Sequence, residues 1–201
     1  IAETFTQVSV IYILIDGFTN ATEEMSGTDA ISLLNELVDG IDECAARHGI
    51  EKIKTIGDQY LAACGLSTPR LDHVTRAMEF ARAAMQYVFA HNQRHGTSLS
   101  LRIGIAAGQC HAGLVGNRRF VYDVWGTTVA IARRIVFDAG DNAVRVHEDV
   151  YNALAEKSGF GDMLEVTTKA KGPVKTWQHR FTRTAIANDK PVGVSAPKAA
   201  E

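Results

Sequence analysis

The chain has 201 residues, 46% of them hydrophobic and 22% charged, and a formal net charge of −2. That is enough apolar material for one globular domain with a sizeable core. The near-neutral balance excludes a general nucleic-acid coat, which needs a basic excess to displace counterions, so an anionic ligand must be met by local basic groups.

Val8 to Ile15 (VSVIYILI) is a β-branched run short enough to be a strand buried on both faces. Asp16-Gly17-Phe18-Thr19 turns the chain, and Asn20 with Glu23 three residues later predicts a capping box opening a helix. Leu33, Leu34, Leu37, Val38 and Ile41 carry that helix to a stop at His48-Gly49. Residues 50–55 alternate apolar with polar or charged side chains, 56–59 turn, and 60–66 return as a second strand. This hairpin places Lys54 and Asp58 near its tip.

Ala77, Phe80, Ala81, Ala84, Met85 and Val88 share one face of a long helix over 72–94. Residues 99–107 alternate as a strand, 108–116 read as a glycine-rich loop, and 122–125 as a short strand or turn. A helix over 127–137, a strand at 143–146, a helix over 148–155 and a strand pair at 164–168 and 176–181 complete the order. The fold class is α/β, a ferredoxin-like βαββαβ core with additional C-terminal strands and helices. Residues 1–183 form the domain, and 184–201, rich in Pro, Ala, Lys and Gly, predict a flexible tail.

Cys44, Cys64 and Cys110 are odd in number and lack CxxC spacing. They predict small buried apolar side chains in a reducing compartment, with neither a disulfide framework nor a cysteine zinc site. No run approaches the ~18 apolar residues of a spanning helix, and the N-terminus lacks a signal-peptide pattern. The expectation is a cytoplasmic domain, or the cytoplasmic face of a parent protein whose membrane or sensor segment lies outside this stretch.

Arg118 to Arg134 (RRFVYDVWGTTVAIARR) concentrates the chemistry. Asp123 sits between Tyr122 and Trp125, and a carboxylate in an aromatic frame needs a partner because burying it alone is costly. A purine base is one such partner. Asp58, at a Gly-Asp turn, can bind a hard cation such as Mg²⁺ but taken alone reads as a hairpin tip. The glycines of 104–116 match neither GxGxxG nor GxxxxGK. The turn at Gly17-Phe18-Thr19 can present backbone N–H groups to phosphate oxygens, or simply start a helix. His111 has no acid or nucleophile partner in sequence and reads as structural.

Together these pieces resemble the catalytic domain of the class III adenylyl and guanylyl cyclases, in its bacterial adenylyl form. The resemblance rests on Gly17-Phe18-Thr19, EKIKTIGDQY (51–60), LRIGIAAG (101–108), AGLVG (112–116), RRFVYDVWG (118–126), and KAKG with Thr176-Trp177, ordered over residues 7–181. It implies a head-to-tail homodimer whose active sites are shared between chains. It assigns Lys54 and Asp123 to the adenine of ATP, Phe18 and Thr19 to substrate binding, and Arg134 and Lys169 to the phosphates. Asp58 becomes one of two metal-binding aspartates in a two-ion Mg²⁺ or Mn²⁺ site. The implied reaction is attack of the ribose 3′ oxygen on the α-phosphate, giving cyclic AMP and pyrophosphate.

Two positions depart from the family pattern. The first metal aspartate is replaced by Leu14, which cannot ligate Mg²⁺, and the ribose-orienting asparagine by Ala130. Both predict impaired turnover. Asp16 follows Leu14 by two, shares its strand face if the strand continues, and is the candidate replacement ligand. The alternative is a catalytically silent cyclase-like module that binds ATP or only dimerises.

Overall fold

A computed structural model describes residues 2–182; the tail expected at 184–201 lies outside the described residues. The elements run β1 (Ala2–Asp16), α1 (Phe18–Thr22), α2 (Gly27–His48), β2 (Glu51–Ile56), β3 (Gln59–Cys64), α3 (His73–His95) and β4 (Ser100–Val115). There follow β5 (Val121–Trp125), α4 (Thr127–Ile135) with a 3₁₀ turn at Val136–Asp138, β6 (Ala143–His147), α5 (Glu148–Ala153), β7 (Leu164–Thr168) and β8 (Gly172–Arg180). One sheet takes the order β2-β3-β1-β4-β6-β8-β7, with β5 pairing β4. Its first four strands are mutually antiparallel, as the ferredoxin-like reading requires. The α4 crossover then sets β6 parallel to β4.

The strand period of two divides β1 between two cores. Ile11, Ile13 and Ile15 face α2 and α3, meeting Leu37, Ile41 and Phe80. Val8, Val10 and Tyr12 face the other way, toward Ile131, Ala132 and Ile135 of α4. Both faces of β1 are therefore covered, which is why its sequence reads as an unbroken apolar run. Gly104 of β4 lets α4 lie directly on the sheet: a Cβ there would stand 2.7 Å from the Ala132 carbonyl oxygen.

Three local expectations are corrected. The Asn20/Glu23 box does not open the long helix. Gly17, in the left-handed region at φ 82°, starts the single-turn α1, and α2 is capped by Ser26, whose hydroxyl accepts from the Asp29 N–H at 3.1 Å. The glycine-rich 108–116 is largely strand, not loop. The β1–β4 register slips between Phe5 and Val8, and β4 then continues to pair β5. Finally, simple alternation would put Lys52 and Lys54 on one face of β2, but the β2–β3 register slips between them. Lys52 turns to the helix side and joins Asp42 at 2.7 Å, while Lys54 turns to the α4 side.

The three cysteines are free and buried, as expected, and burial raises the thiols of Cys64 and Cys110 to about 11.

Candidate active site

The α4 face of the sheet holds a cleft of about 870 Å³. Tyr12 and Leu61 form its floor, Lys54 one wall, and the end of β5 with α4 the other; the β7–β8 turn closes it with Thr168 and Lys169. Helix α4, its N-terminal cap Gly126 and the 3₁₀ turn that follows it contribute Gly126, Val129, Ala130, Arg133, Arg134 and Phe137. That is the i, i+3, i+4, i+7 spacing of a single helix face.

Lys54 and Asp123, 69 residues apart, meet here: the ammonium donates to Asp123 Oδ2 at 2.6 Å, with side chains 32% and 26% exposed. The Val124 N–H donates to the other carboxylate oxygen at 2.9 Å, so the group is fixed at both ends. Asp123 thus has the partner its aromatic frame demanded, and in the free chain that partner is Lys54. Trp125 stays at the cleft wall, whereas Phe120 is 70% exposed.

Arg134 is exposed at the cleft and paired with Asp138 one turn on. Asp138 is itself held through its carbonyl, which accepts from Arg145 Nε at 2.9 Å. Arg145 is 7% exposed and spends its other donors on Thr176 Oγ1 at 3.1 Å and Gln178 Oε1 at 3.0 Å. Its charge meets neutral acceptors, and burial lowers its pKa. Lys169 sits in a turn closed by the Thr168 hydroxyl, which donates to the Gly172 carbonyl at 2.9 Å and accepts from the Lys171 N–H at 3.1 Å.

The remaining predicted residues gather elsewhere, where β1 ends beside the β2–β3 turn. The Ile15 N–H donates to the Asp58 carbonyl at 2.9 Å, and Leu14 lies opposite Gln59, so the two family metal positions are neighbours. Leu14 packs against the α4-side core. Asp16 does share its strand face, but its Oδ2 is 2.6 Å from Arg102 Nη2, and Arg102 also holds Asp141 at 3.1 Å. Phe18 packs on the α2/α3 core, and Thr19 is exposed. None of Asp16, Phe18, Thr19 or Asp58 lines the cleft.

This donor set does not fit a two-ion site. Magnesium and manganese take several oxygen ligands, and this end offers Asp58, an apolar leucine and a carboxylate already neutralised by a guanidinium. A Glu/His cluster able to coordinate a metal ion exists on the opposite side of the sheet, at Glu36, His91 and His95.

Tyr12, Arg133 and Arg145 escaped the sequence reading. Tyr12 looks like one more apolar residue in a strand. Burial raises its pKa, with Arg133 and Asp123 as its charged neighbours. Arg145 looks like a charged residue on a short strand. Only the pairing of β6 with β8 shows where it points.

The adenylate and guanylate cyclase catalytic-domain model matches residues 1–180. The chain belongs to that family. An adenylate cyclase of Mycobacterium tuberculosis is 32% identical over 200 residues, covering 100% of this chain and 45% of that protein. A membrane guanylyl cyclase of Dictyostelium discoideum is 29% identical over 192 residues, covering 95% and 13%. This cyclase domain therefore spans less than half the length of the curated relatives it matches. Among solved structures, the catalytic core of a rhodopsin-guanylyl cyclase with converted specificity, in complex with ATPαS, superposes with a TM-score of 0.82 at 28% identity, covering 89% of this chain and 97% of that one. Relatives of both names match, so family membership does not choose the base. No helix among the described residues of the cyclase domain is long and apolar enough to cross a membrane.

Proposed function

We propose that residues 1–183 form a cyclase domain that binds ATP in the α4 cleft and converts it slowly to cyclic AMP and pyrophosphate, as a homodimer on the cytoplasmic side of its parent protein. The observation that carries this reading is the Lys54–Asp123 pair, held at 2.6 Å in the same cleft as Arg134 and Lys169. Adenine offers an acceptor, N1, beside a donor, the 6-amino group, and an ammonium beside a carboxylate matches that order. Guanine reverses the order at the same positions, an acceptor at O6 beside a donor at N1, so a direct comparison of ATP with GTP is the deciding measurement.

In the reaction the ribose O3′ bonds to the α-phosphorus, the bond from that phosphorus to the β-phosphate bridging oxygen breaks, and the O3′ proton passes to solvent as pyrophosphate leaves. Arg134 and Lys169 donate to phosphate oxygens where negative charge builds, a preorganised stabilisation. Ala130 supplies no hydrogen bond to the ribose, so the sugar is less well oriented. For Mg²⁺ or Mn²⁺ the chain offers Asp58, and Asp16 only once Arg102 releases it. Homodimerisation is supported by the separation of Asp58, Phe18 and Thr19 from the cleft. A second copy docked head to tail brings its own β1 end to this chain's cleft.

Leu14 and the Arg102–Asp16 ion pair favour a second reading, a silent ATP-binding or dimerising module. Incubating the protein with ATP or with GTP and Mn²⁺ separates the two. Cyclic AMP accumulating faster than cyclic GMP supports the first, and retained ATP binding without product at high enzyme concentration establishes the second. In the double variant Lys54→Glu with Asp123→Cys, ATP preference falls; an unchanged preference removes the assignment of the pair to the base.

A further inference from the structure

On the face of the sheet opposite the cleft, α2 and α3 cross at Gly40, where a Cβ would stand 1.9 Å from Cζ of Tyr87. Only glycine admits that ring, and the Tyr87 hydroxyl then reaches the Glu36 carbonyl at 2.7 Å. The helices run in opposite directions from this crossing, so Glu36, one turn before Gly40, meets His91 and His95, one and two turns beyond Tyr87. His95 Nε2 lies 2.9 Å from Glu36 Oε1 and His91 Nε2 lies 3.8 Å from the same oxygen. One potential ligand atom from each residue falls within 4.8 Å of the others.

His91 is the informative member. Its side chain is 0% exposed, yet neither ring nitrogen has a hydrogen-bond partner. A buried polar group left unsatisfied costs free energy, and such groups in native proteins usually mark a missing partner. Here the ring lies against a carboxylate and a second imidazole, with His91 and His95 ring centroids 4.3 Å apart.

We propose that Glu36, His91 and His95 form a zinc site that clamps α2 to α3. Two histidines at i and i+4 on one helix face present their nitrogens to a common ion. Two ligands ~2.1 Å from a tetrahedral ion stand ~3.4 Å apart, and the two observed nitrogen–oxygen separations bracket that spacing. Two imidazoles and one carboxylate suit a borderline ion such as Zn²⁺ and not Mg²⁺ or Ca²⁺, which prefer all-oxygen shells. The fourth position is left for water, reached from an adjoining groove that Asp39, Glu43 and Arg94 line.

Several neighbours act on the site. Arg94 Nη2, 3.8 Å from Glu36 Oε1, competes with a cation, and Asp39 and Glu43 in the groove offset that charge. Burial, aided by His95, lowers the His91 pKa and so keeps the imidazole in its neutral, ligating form. The hydrogen bond with His95 lowers the Glu36 pKa, favouring the carboxylate. Metal ligation needs neutral imidazoles and an ionised carboxylate, so affinity falls on acidification.

The test is a Zn²⁺ titration of the untagged, metal-stripped chain against a chromophoric chelator, with thermal melting alongside. One Zn²⁺ per chain is expected, and at a hundredfold excess over Kd the melting temperature rises by roughly 5–10 °C, with no rise for equimolar Mg²⁺. Glu36→Gln and His95→Ala, both at partly exposed positions, each weaken Zn²⁺ binding at least tenfold. Binding of less than one equivalent, or an affinity unchanged in both variants, overturns the site.

Discussion

The α4 cleft and the β1 end of the same sheet carry similar numbers of charged groups and use them in opposite ways. In the cleft, Lys54, Asp123, Arg134 and Lys169 converge from four elements on one space large enough for a nucleotide. At the β1 end, the carboxylate expected from Leu14 is a leucine, Asp16 is neutralised by Arg102, and Asp58 stands at an exposed turn. Charge density alone does not make a site; what matters is whether the local ion pairs leave a shared volume between them. The Lys54–Asp123 pair lines the cleft, and the Asp16–Arg102 pair does not.

The largest expected effect tests the cleft side of that contrast. If Arg134 serves the phosphate as proposed, Arg134→Ala should lower kcat by about 10²–10³, the usual loss for one preorganised donor, with a smaller change in KM for ATP. Cyclic AMP formation under saturating ATP measures it, and an undiminished kcat would move the catalytic role elsewhere, Arg133 being the adjacent candidate. The next effect tests the other end. Leu14→Asp places a carboxylate beside Asp58 and should tighten Mn²⁺ binding at least tenfold, the scale on which supporting ligands act, read by the loss of the free Mn²⁺ paramagnetic resonance signal. Unchanged binding would show that the β1 end is not a metal position in this chain.

The split between the regions also explains what the sequence made readable. The core strands and long helices follow from local periodicity, because burial on one or two faces writes a period of 2 or 3.6 into the chain. Val8–Ile15 and the face from Ala77 to Val88 are of that kind. Glycine misled at 108–116, since a glycine-rich stretch reads as loop until its pairing with β1 and β5 is known. Lys54 reached the cleft only through a register slip that no alternation pattern contains. The candidate residues came from ordered motifs, and the structure brought Lys54, Asp123, Arg134 and Lys169 together. Arg145 and Glu36 were not legible in the same way, because Arg145 meets Thr176 and Gln178, 31 and 33 residues on, and Glu36 meets His95, 59 residues on, only through packing.

Arg145 offers a prediction of intermediate size. It anchors the Asp138 carbonyl while the Asp138 carboxylate holds Arg134, so under the proposed function it would act as a positioning residue. Arg145→Met keeps the length and apolar stem, removes three hydrogen bonds and loosens the turn after α4. A drop in kcat of about tenfold, comparable to losses at other supporting positions, should come with little change in KM. Loss of stability alone, with kcat intact in the folded fraction, would restrict Arg145 to holding the sheet together.

The smallest expected effect lies at Asp16. If Asp16 serves the metal in place of Leu14, Asp16→Ala must lower Mn²⁺-dependent turnover; if its role is the ion pair with Arg102, turnover should hold. The geometry favours the second outcome, since Asp16 and Arg102 are 45% and 34% exposed. Arg102 also keeps Asp141 as a partner when Asp16 is removed. An exposed pair of this kind contributes about 0–1 kcal/mol to stability, so the variant should melt within a few degrees of the parent chain and cyclise ATP at an unchanged rate. A turnover loss of tenfold or more, with melting unaltered, would make Asp16 a ligand and join the β1 end to the active site after all.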